Sequence, residues 1–246
     1  MFEFFGFIAR PLGWLLTFIY GYIQNYGITL LVFTLIVKLL LFPLYAKQVK
    51  SSVRMSEMQP KMKELQKQFS HDKQMYNQKM MELYKKEKFN PASGCLPALL
   101  QMPIIFGLFV LLRNPTRFIE GDQMLIASHE AFLWIMDLSQ PDLWILPIAA
   151  GITTFISFAQ SQAQNASISD TNPTMAQMMK MMKYFLPIMI MVMGRTFPAG
   201  LTIYWFFGQF VQIGFNLYLN GVRKKMKAEI ERKRREEERR KVGGKR

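Results

Sequence analysis

Cysteine is almost missing from this chain: Cys95 stands alone among 246 residues, which excludes an internal disulfide and a four-cysteine zinc site. Histidine is nearly as scarce. His71 and His129 each sit alone in a polar segment, where surface residues are the plain expectation, so no metal-ligating cluster forms. Acid is outnumbered, with 17 Asp and Glu against 31 Lys and Arg, for a net charge of +14. The longest apolar stretches contain no Asp, Glu or His at all, which removes the intramembrane carboxylate or histidine that proton-driven transporters use. No phosphate loop or nucleophile–base pair is visible, so the sequence carries no signature of an enzyme. What remains is half hydrophobic, with 21 Phe and 19 Met. Its charge is gathered into separate segments, the pattern of a polytopic all-α membrane protein.

The chain is organised around Gly27 to Tyr45, GITLLVFTLIVKLLLFPLY, whose nineteen residues are apolar except for two threonines and Lys38. As a helix this stretch rises about 28 Å, close to the hydrocarbon thickness of a bilayer. Lys47 and Lys50 mark its aqueous end, which places Lys38 about 13 Å inside. A charged lysine near the midplane costs about 3 kcal/mol on insertion scales, and its stem is too short to reach water from there. It needs an acidic partner, a lost proton or water, and the other spans offer no acid.

Four further spans are expected, at about 94–112, 143–160, 178–196 and 201–219. The fourth has a short apolar part, Tyr184 to Met193, and reaches span length when Lys180, Lys183 and Arg195 snorkel. Before the first span, residues 1–25 read as an amphipathic helix lying in the outer interface, with a slanted extra span as the alternative. Glu3 and Arg10-Pro11 argue against a cleavable signal there. Residues 46–90 are polar and basic. Met55, Met58, Met62, Leu65 and Phe69 form a three-and-four seam, Ser70-His71-Asp72 breaks it, and Tyr76, Met80, Leu83 and Glu87 resume it. The pattern predicts a helical hairpin in water. Residues 222–246 form a basic tail, leaving 26–221 as a five-helix core.

Eleven Lys and Arg fall in the hairpin and thirteen in the tail, against Arg113 and Arg117 in the 113–142 loop. The positive-inside rule therefore puts hairpin and tail in the cytoplasm and the N-terminus outside. Trp14, Trp134, Trp144 and Trp205 then all fall near the outer interface. The inner half of the bundle gathers Thr34 and Lys38 on the first span and Gln101 on the second. Thr153, Ser157 and Gln160 follow on the third, and Gln209, Gln212 and Asn216 on the fifth. Singly, such residues are interhelical glue. Around an unpaired lysine they predict a hydrated groove open to the cytoplasmic side.

Several blocks carry a family resemblance over residues 24 to 221: Phe42-Pro43-Leu44, Gln59-Pro60-Lys61, Met80 to Lys85, and Asn90-Pro91 with Gly94-Cys95-Leu96-Pro97. Gln101-Met102-Pro103-Ile104 and Phe197-Pro198-Ala199-Gly200-Leu201 with Tyr204 complete the set. In this order the chain resembles the YidC family of membrane protein insertases, relatives of the Oxa-type insertases of organelles. The family's groove charge is typically arginine, and Lys38 departs from that; the large extracytoplasmic domain of Gram-negative members is also missing. The resemblance implies insertion of membrane proteins into a bacterial plasma membrane, alone or beside the Sec translocon, without cofactor or metal. The partners it implies are nascent membrane proteins, the ribosome, the signal recognition machinery and anionic lipid. Arg223, Lys224, Lys225, Lys227, Arg232, Lys233, Arg234 and Arg235 would contact ribosome or lipid, which the charge alone does not distinguish. The methionines of 175–193 offer clients an adaptable sliding surface. The competing classes are a small-solute transporter, which the lack of inverted repeats disfavours, and a passive assembly scaffold.

Overall fold

The computed structural model describes residues 2–90, 96–113, 126–164 and 173–243. Cys95, Pro91, Arg117, Glu120 and Asp122 lie outside the described residues, as do most of the loop after α4 and the polar stretch 165–172. The described chain is helical: α1 (Phe2–Ile23), α2 (Tyr26–Gln68), α3 (Lys73–Lys86), α4 (Leu96–Arg113), α5 (Ile145–Gln164), α6 (Pro173–Gly194) and α7 (Ala199–Gly243). The helices pack in the sequence α1, α4, α2, α7, α5, α6, with α1 also touching α2.

Helix α2 is 43 residues long and runs unbroken through Pro43 and Pro60. The change of composition at Tyr45–Ala46 therefore falls inside one continuous helix. Its start is set by Gln24, which takes a positive φ of 51°, and by Asn25, whose side chain accepts the Ile28 N–H at 3.0 Å. A second cap comes from the far segment: Glu130 accepts the Tyr26 N–H at 2.7 Å and the Tyr20 hydroxyl at 2.5 Å, joining α1 to α2. Beside it the Phe132 ring lies directly on Gly27, where a Cβ would stand 2.1 Å from ring carbons.

The main core is built from Leu16 and Ile19 of α1, Leu30, Phe33 and Val37 of α2, Leu108 and Leu111 of α4, and Leu201 and Tyr204 of α7. Leu138, between α4 and α5, is buried with them. The first turn of α7 has its orphan N–H groups satisfied from that same segment, Ala199 donating to Gln140 O and Gly200 to Leu138 O. The hairpin has its own small core of Met55, Met58, Met62 and Met80, with Leu65, Tyr76 and Leu83 packed around it. Asp72 caps α3 by accepting the N–H groups of Gln74 and Met75. Lys61 closes the hairpin onto Glu87, and that hydrogen bond holds the Glu87 carboxyl below its usual range.

The bundle's exterior is apolar. Leu35, Leu39 and Leu40 on α2, Ile148, Ile152 and Ile156 on α5, and Phe185, Ile188 and Val192 on α6 all face outward. A soluble monomer does not expose so much contiguous apolar surface; a helical protein dissolved in lipid does. Among the described residues α2 has the length and apolar composition to span a bilayer. Gln209, Gln212 and Asn216 make α7 more polar than that, and these are candidate site residues.

Candidate functional site

Lys38 sits two-thirds of the way along the apolar part of α2, facing α7, and is only 4% exposed. Two features make room for it. Gly208 of α7 has no side chain, so the lysine stem lies across it; a Cβ at that position would stand 3.2 Å from Lys38 Cε and 3.6 Å from Thr34 Cγ2. Two turns further along α2, Tyr45 reaches back, its hydroxyl accepting from Lys38 Nζ at 3.5 Å. The ammonium's second bond, also 3.5 Å, goes to Gln212 Oε1 of α7. Both contacts are at the long limit of a hydrogen bond, and both acceptors are neutral. No Asp or Glu among the described residues makes a bond to it.

From Gln212 the polar contacts continue across to α5. Gln212 Nε2 donates to Asn216 Oδ1 at 3.1 Å, and Asn216 Nδ2 points between the Ser157 carbonyl at 3.3 Å and Gln160 Oε1 at 3.5 Å. Asn216 is 8% exposed and Ser157 is buried, so this relay lies inside the helix contact. The chain Tyr45–Lys38–Gln212–Asn216–Gln160 thus crosses α2, α7 and α5 on hydrogen bonds between uncharged groups and one amine.

The other expected residues distribute differently. Thr34 is fully buried, but its hydroxyl turns back on the Leu30 carbonyl at 2.6 Å and it offers only a methyl to the site. Thr153 likewise bonds the carbonyls of Ala149 and Ala150 on its own helix. Its neighbour Thr154 makes the interhelical bond, accepting from Trp205 Nε1 at 2.9 Å. Gln101 belongs to a separate pair, donating to the Tyr204 hydroxyl at 2.8 Å between α4 and α7. Gln209 is half-buried on α7. The spacing argument missed Tyr45, Gly208, Thr154 and Tyr204. A three-and-four walk back from Gln212 reaches Gly208, which a search for polar side chains passes over.

In the basic tail Arg223 differs from its neighbours. It is 5% exposed and donates from Nη2 to Ser52 Oγ of α2 at 3.0 Å, and burial pulls its pKa down. Lys224, Lys225 and Lys227 are exposed. Arg232, Lys233 and Arg235 pair with Glu236, Glu229 and Glu231 one turn away on α7. The side chain of Arg234 lies outside those described. At the opposite end His129, Asp137 and Ser139 meet in space, but Asp137 Oδ2 and Ser139 Oγ both approach the same ring nitrogen, Nδ1, at 3.0 Å. A nucleophile relay needs the two on opposite nitrogens, so this cluster ties down a turn.

The sequence matches the family described as 60Kd inner membrane protein over residues 18–228. The membrane protein insertase YidC of Haemophilus influenzae (strain PittEE) is 40% identical over 222 residues, covering 89% of this chain and 38% of that protein. A protein with the same description from Oceanobacillus iheyensis is 39% identical over 216 residues, which are 85% of this chain and 81% of its own. The chain therefore spans well under half of the first relative and most of the second. Among solved structures, one described as an active YidC insertase with its first transmembrane domain resolved superposes with a TM-score of 0.58 at 23% identity. That superposition covers 86% of this chain and 46% of that one, and it shows a shared fold.

Proposed function

The chain belongs to the 60Kd inner membrane protein family, that of the YidC insertases, and from that premise we propose that it inserts and helps fold integral membrane proteins. The observation that carries the mechanism is the condition of Lys38: an amine among hydrocarbon-facing helices, held by two long bonds to neutral acceptors. A carboxylate on a client segment forms a stronger, charge-assisted bond than either a tyrosine hydroxyl or a glutamine amide. When the client moves on, Tyr45 and Gln212 take the amine back. Gln212 and Asn216 are the side chains that turn aside to admit the client, and each client amide that enters replaces one of theirs. The recess that opens when these side chains turn aside would shorten the hydrocarbon path that a polar segment must cross.

In this reading α2, α4, α5, α6 and α7 each cross a bacterial plasma membrane once, with α1 in the outer interface and hairpin and tail in the cytoplasm. The exposed lysines of hairpin and tail meet the ribosome or anionic lipid, and the Sec translocon and the signal recognition machinery deliver clients. The exposed methionines Met178, Met181 and Met182 of α6 give the client a surface without fixed shape.

Reconstitution into liposomes tests the reading, with paired clients whose translocated segment is acidic or neutralised. Lys38→Arg is expected to keep insertion of both. Lys38→Gln slows the acidic client and spares the neutral one, and Lys38→Glu is worst for the acidic client because like charges repel strongly in a poorly screened cavity. An unchanged acidic-to-neutral ratio in Lys38→Glu refutes the electrostatic role. Solute flux without client insertion would refute the insertase reading itself.

A further inference from the structure

The end of the molecule opposite the hairpin carries an apolar patch that the insertion mechanism does not use. Ile126, Leu133, Trp134, Met136, Leu143 and Trp144 are all exposed there, Leu133 at 75% and Met136 at 87%. Exposure on this scale in a loop calls for a partner, and the local chemistry narrows which one.

First, several of the loop's polar groups are paired within it. Phe132 and Ile135 exchange both backbone hydrogen bonds, at 2.8 and 3.0 Å, around a tight turn in which Leu133 takes a positive φ of 56°. Leu138 N–H donates to Glu130 O, and Ser139 N–H to Asp137 Oδ1. The indole N–H of Trp134, which would be costly to bury unpaired, is taken by Asp142 Oδ2 at 2.8 Å. The tip thus pairs its indole N–H and part of its backbone internally, and it turns the apolar side chains of Leu133 and Met136 outward.

Second, the C-terminal end of the patch leads along the chain into the outward stripe of α5. Trp144 and Ile145 lead to Ile148, Ile152 and Ile156 at helical spacing, all exposed. What covers that stripe is the bilayer, and the same solvent continues onto the loop. Third, a cation stands at the boundary. Arg195, exposed at the end of α6, places its guanidinium 4.4 Å from the centre of the Trp144 ring. A cation over a tryptophan face at the rim of an apolar surface is complementary to a lipid phosphate.

We propose that the 132–136 turn is a membrane-inserting tip, with Leu133, Trp134 and Met136 entering the leaflet opposite the hairpin and Arg195 meeting its headgroup phosphates. The tip is rigidly joined to the bundle. Phe132 lies on Gly27 and Glu130 caps Tyr26, so the loop sets the height in the bilayer at which α2 begins and hence the depth of Lys38. The proposal rests on the chain being a membrane protein and not on the insertase activity, which its test does not read.

The full chain with Cys95→Ser is spin-labelled singly at Leu133→Cys, Met136→Cys, Ile152→Cys and Lys67→Cys, and reconstituted in phosphatidylethanolamine–phosphatidylglycerol vesicles. Ile152 serves as the lipid-facing reference and Lys67, exposed on the hairpin, as the aqueous one. Collision with oxygen against a water-soluble nickel chelate is expected to shift at 133 and 136 to the Ile152 side. Values at 133 and 136 equal to those at Lys67 overturn the proposal, and are also what a surface reserved for a protein partner would give in vesicles of lipid alone. A second measurement keeps Trp134 as sole indole, in the variant Trp14→Phe, Trp144→Phe, Trp205→Phe. Its fluorescence is expected to be quenched by brominated acyl chains and protected from iodide, and the reverse overturns the proposal. Should this triple variant fail to fold, the spin labels, placed in a chain with all four tryptophans, decide.

Discussion

Gly27 is the position where a single methyl group tests the architecture most sharply. A Cβ there would stand 2.1 Å from both Cγ and Cδ2 of Phe132, whereas carbon atoms in contact keep about 3.5–4.0 Å. Phe132 Cγ lies on the axis about which the ring turns, so turning the ring does not clear it, and the Phe132 backbone is held by its two bonds to Ile135. Gly27→Ala therefore forces the loop off α2, and overpacking of this kind costs about 1–3 kcal/mol. In a Phe132→Ala background the obstruction is gone. The same Gly27→Ala change then replaces a helical glycine by alanine, worth up to about 1 kcal/mol in the stabilising direction, and less in a first turn. The substitution is thus expected to change sign between backgrounds. A double-mutant cycle on the purified protein in detergent, read by thermal melting, measures this as a coupling energy. Equal effects of Gly27→Ala in the two backgrounds would refute the close packing of loop on helix.

The remaining predictions follow from individual contacts. Arg223→Ala removes a charged donor to Ser52, a bond worth about 1.5–3 kcal/mol, and is expected to lower disulfide formation between Ser56→Cys and Ile230→Cys, which line one cleft between α2 and α7; an unchanged yield would show that Arg223 holds nothing. Replacing Lys224, Lys225, Lys227, Arg232, Lys233 and Arg235 with Gln while keeping Arg223 is expected to weaken co-sedimentation with ribosomes and flatten its salt dependence, leaving the fold intact. If instead only binding to anionic vesicles falls, the tail is a lipid contact. Burial alone would raise the Asp142 carboxyl, but bonds from Trp134 and from the N–H groups of Trp144 and Leu146 hold it below the usual carboxylate range. A depressed folded pKa contributes stability that is present above the unfolded value of about 4 and lost as pH falls through the folded one. Trp134 emission should therefore stay flat from neutral pH to about 4 and change below it, and Asp142→Asn should abolish that step.

Much of the helical framework was legible because its signals are periodic. The nineteen apolar residues from Gly27, the methionine seam at 55, 58 and 62, and the Asp72 cap each depend on neighbours within one or two turns. The continuity of α2 was not legible. Pro43 and the switch to polar residues at Ala46 both read as an end, yet the helix continues because Tyr45 before that switch and Val49 beyond it both pack on Leu219, and Val53 is buried further along. Lys38 was singled out as the one charge in an apolar stretch, and Gln212, Asn216, Ser157 and Gln160 by three-and-four spacing; hydrogen bonds of 3.1 to 3.5 Å link these five residues. Spacing cannot say where a hydroxyl turns: Thr153 bonds carbonyls of its own helix, and the neighbouring Thr154 accepts from Trp205. Nor can it see a residue that acts by having no side chain, as Gly208 does, or distinguish Arg223 from the solvated charges that follow it.

The missing acid and the neutral contacts of Lys38 belong to one argument. Had evolution placed a carboxylate opposite Lys38, the pair would be the resident state. Separating a buried ion pair by taking one partner away costs about 3–5 kcal/mol, and every client would have to meet that cost. Tyr45 and Gln212, each 3.5 Å from the amine, solvate it enough to keep it in the bundle and too weakly to hold it against a better acceptor. Gln212→Glu would install the resident partner within reach of the amine. The variant should melt at a higher temperature than wild type and insert the acidic client more slowly, with the neutral client unaffected. Gln212→Met keeps the bulk and removes the acceptor, and should lower stability while leaving the preference for acidic clients in place. If Gln212→Glu inserted acidic clients as fast as wild type, competition for the amine would not be how this site selects and releases them.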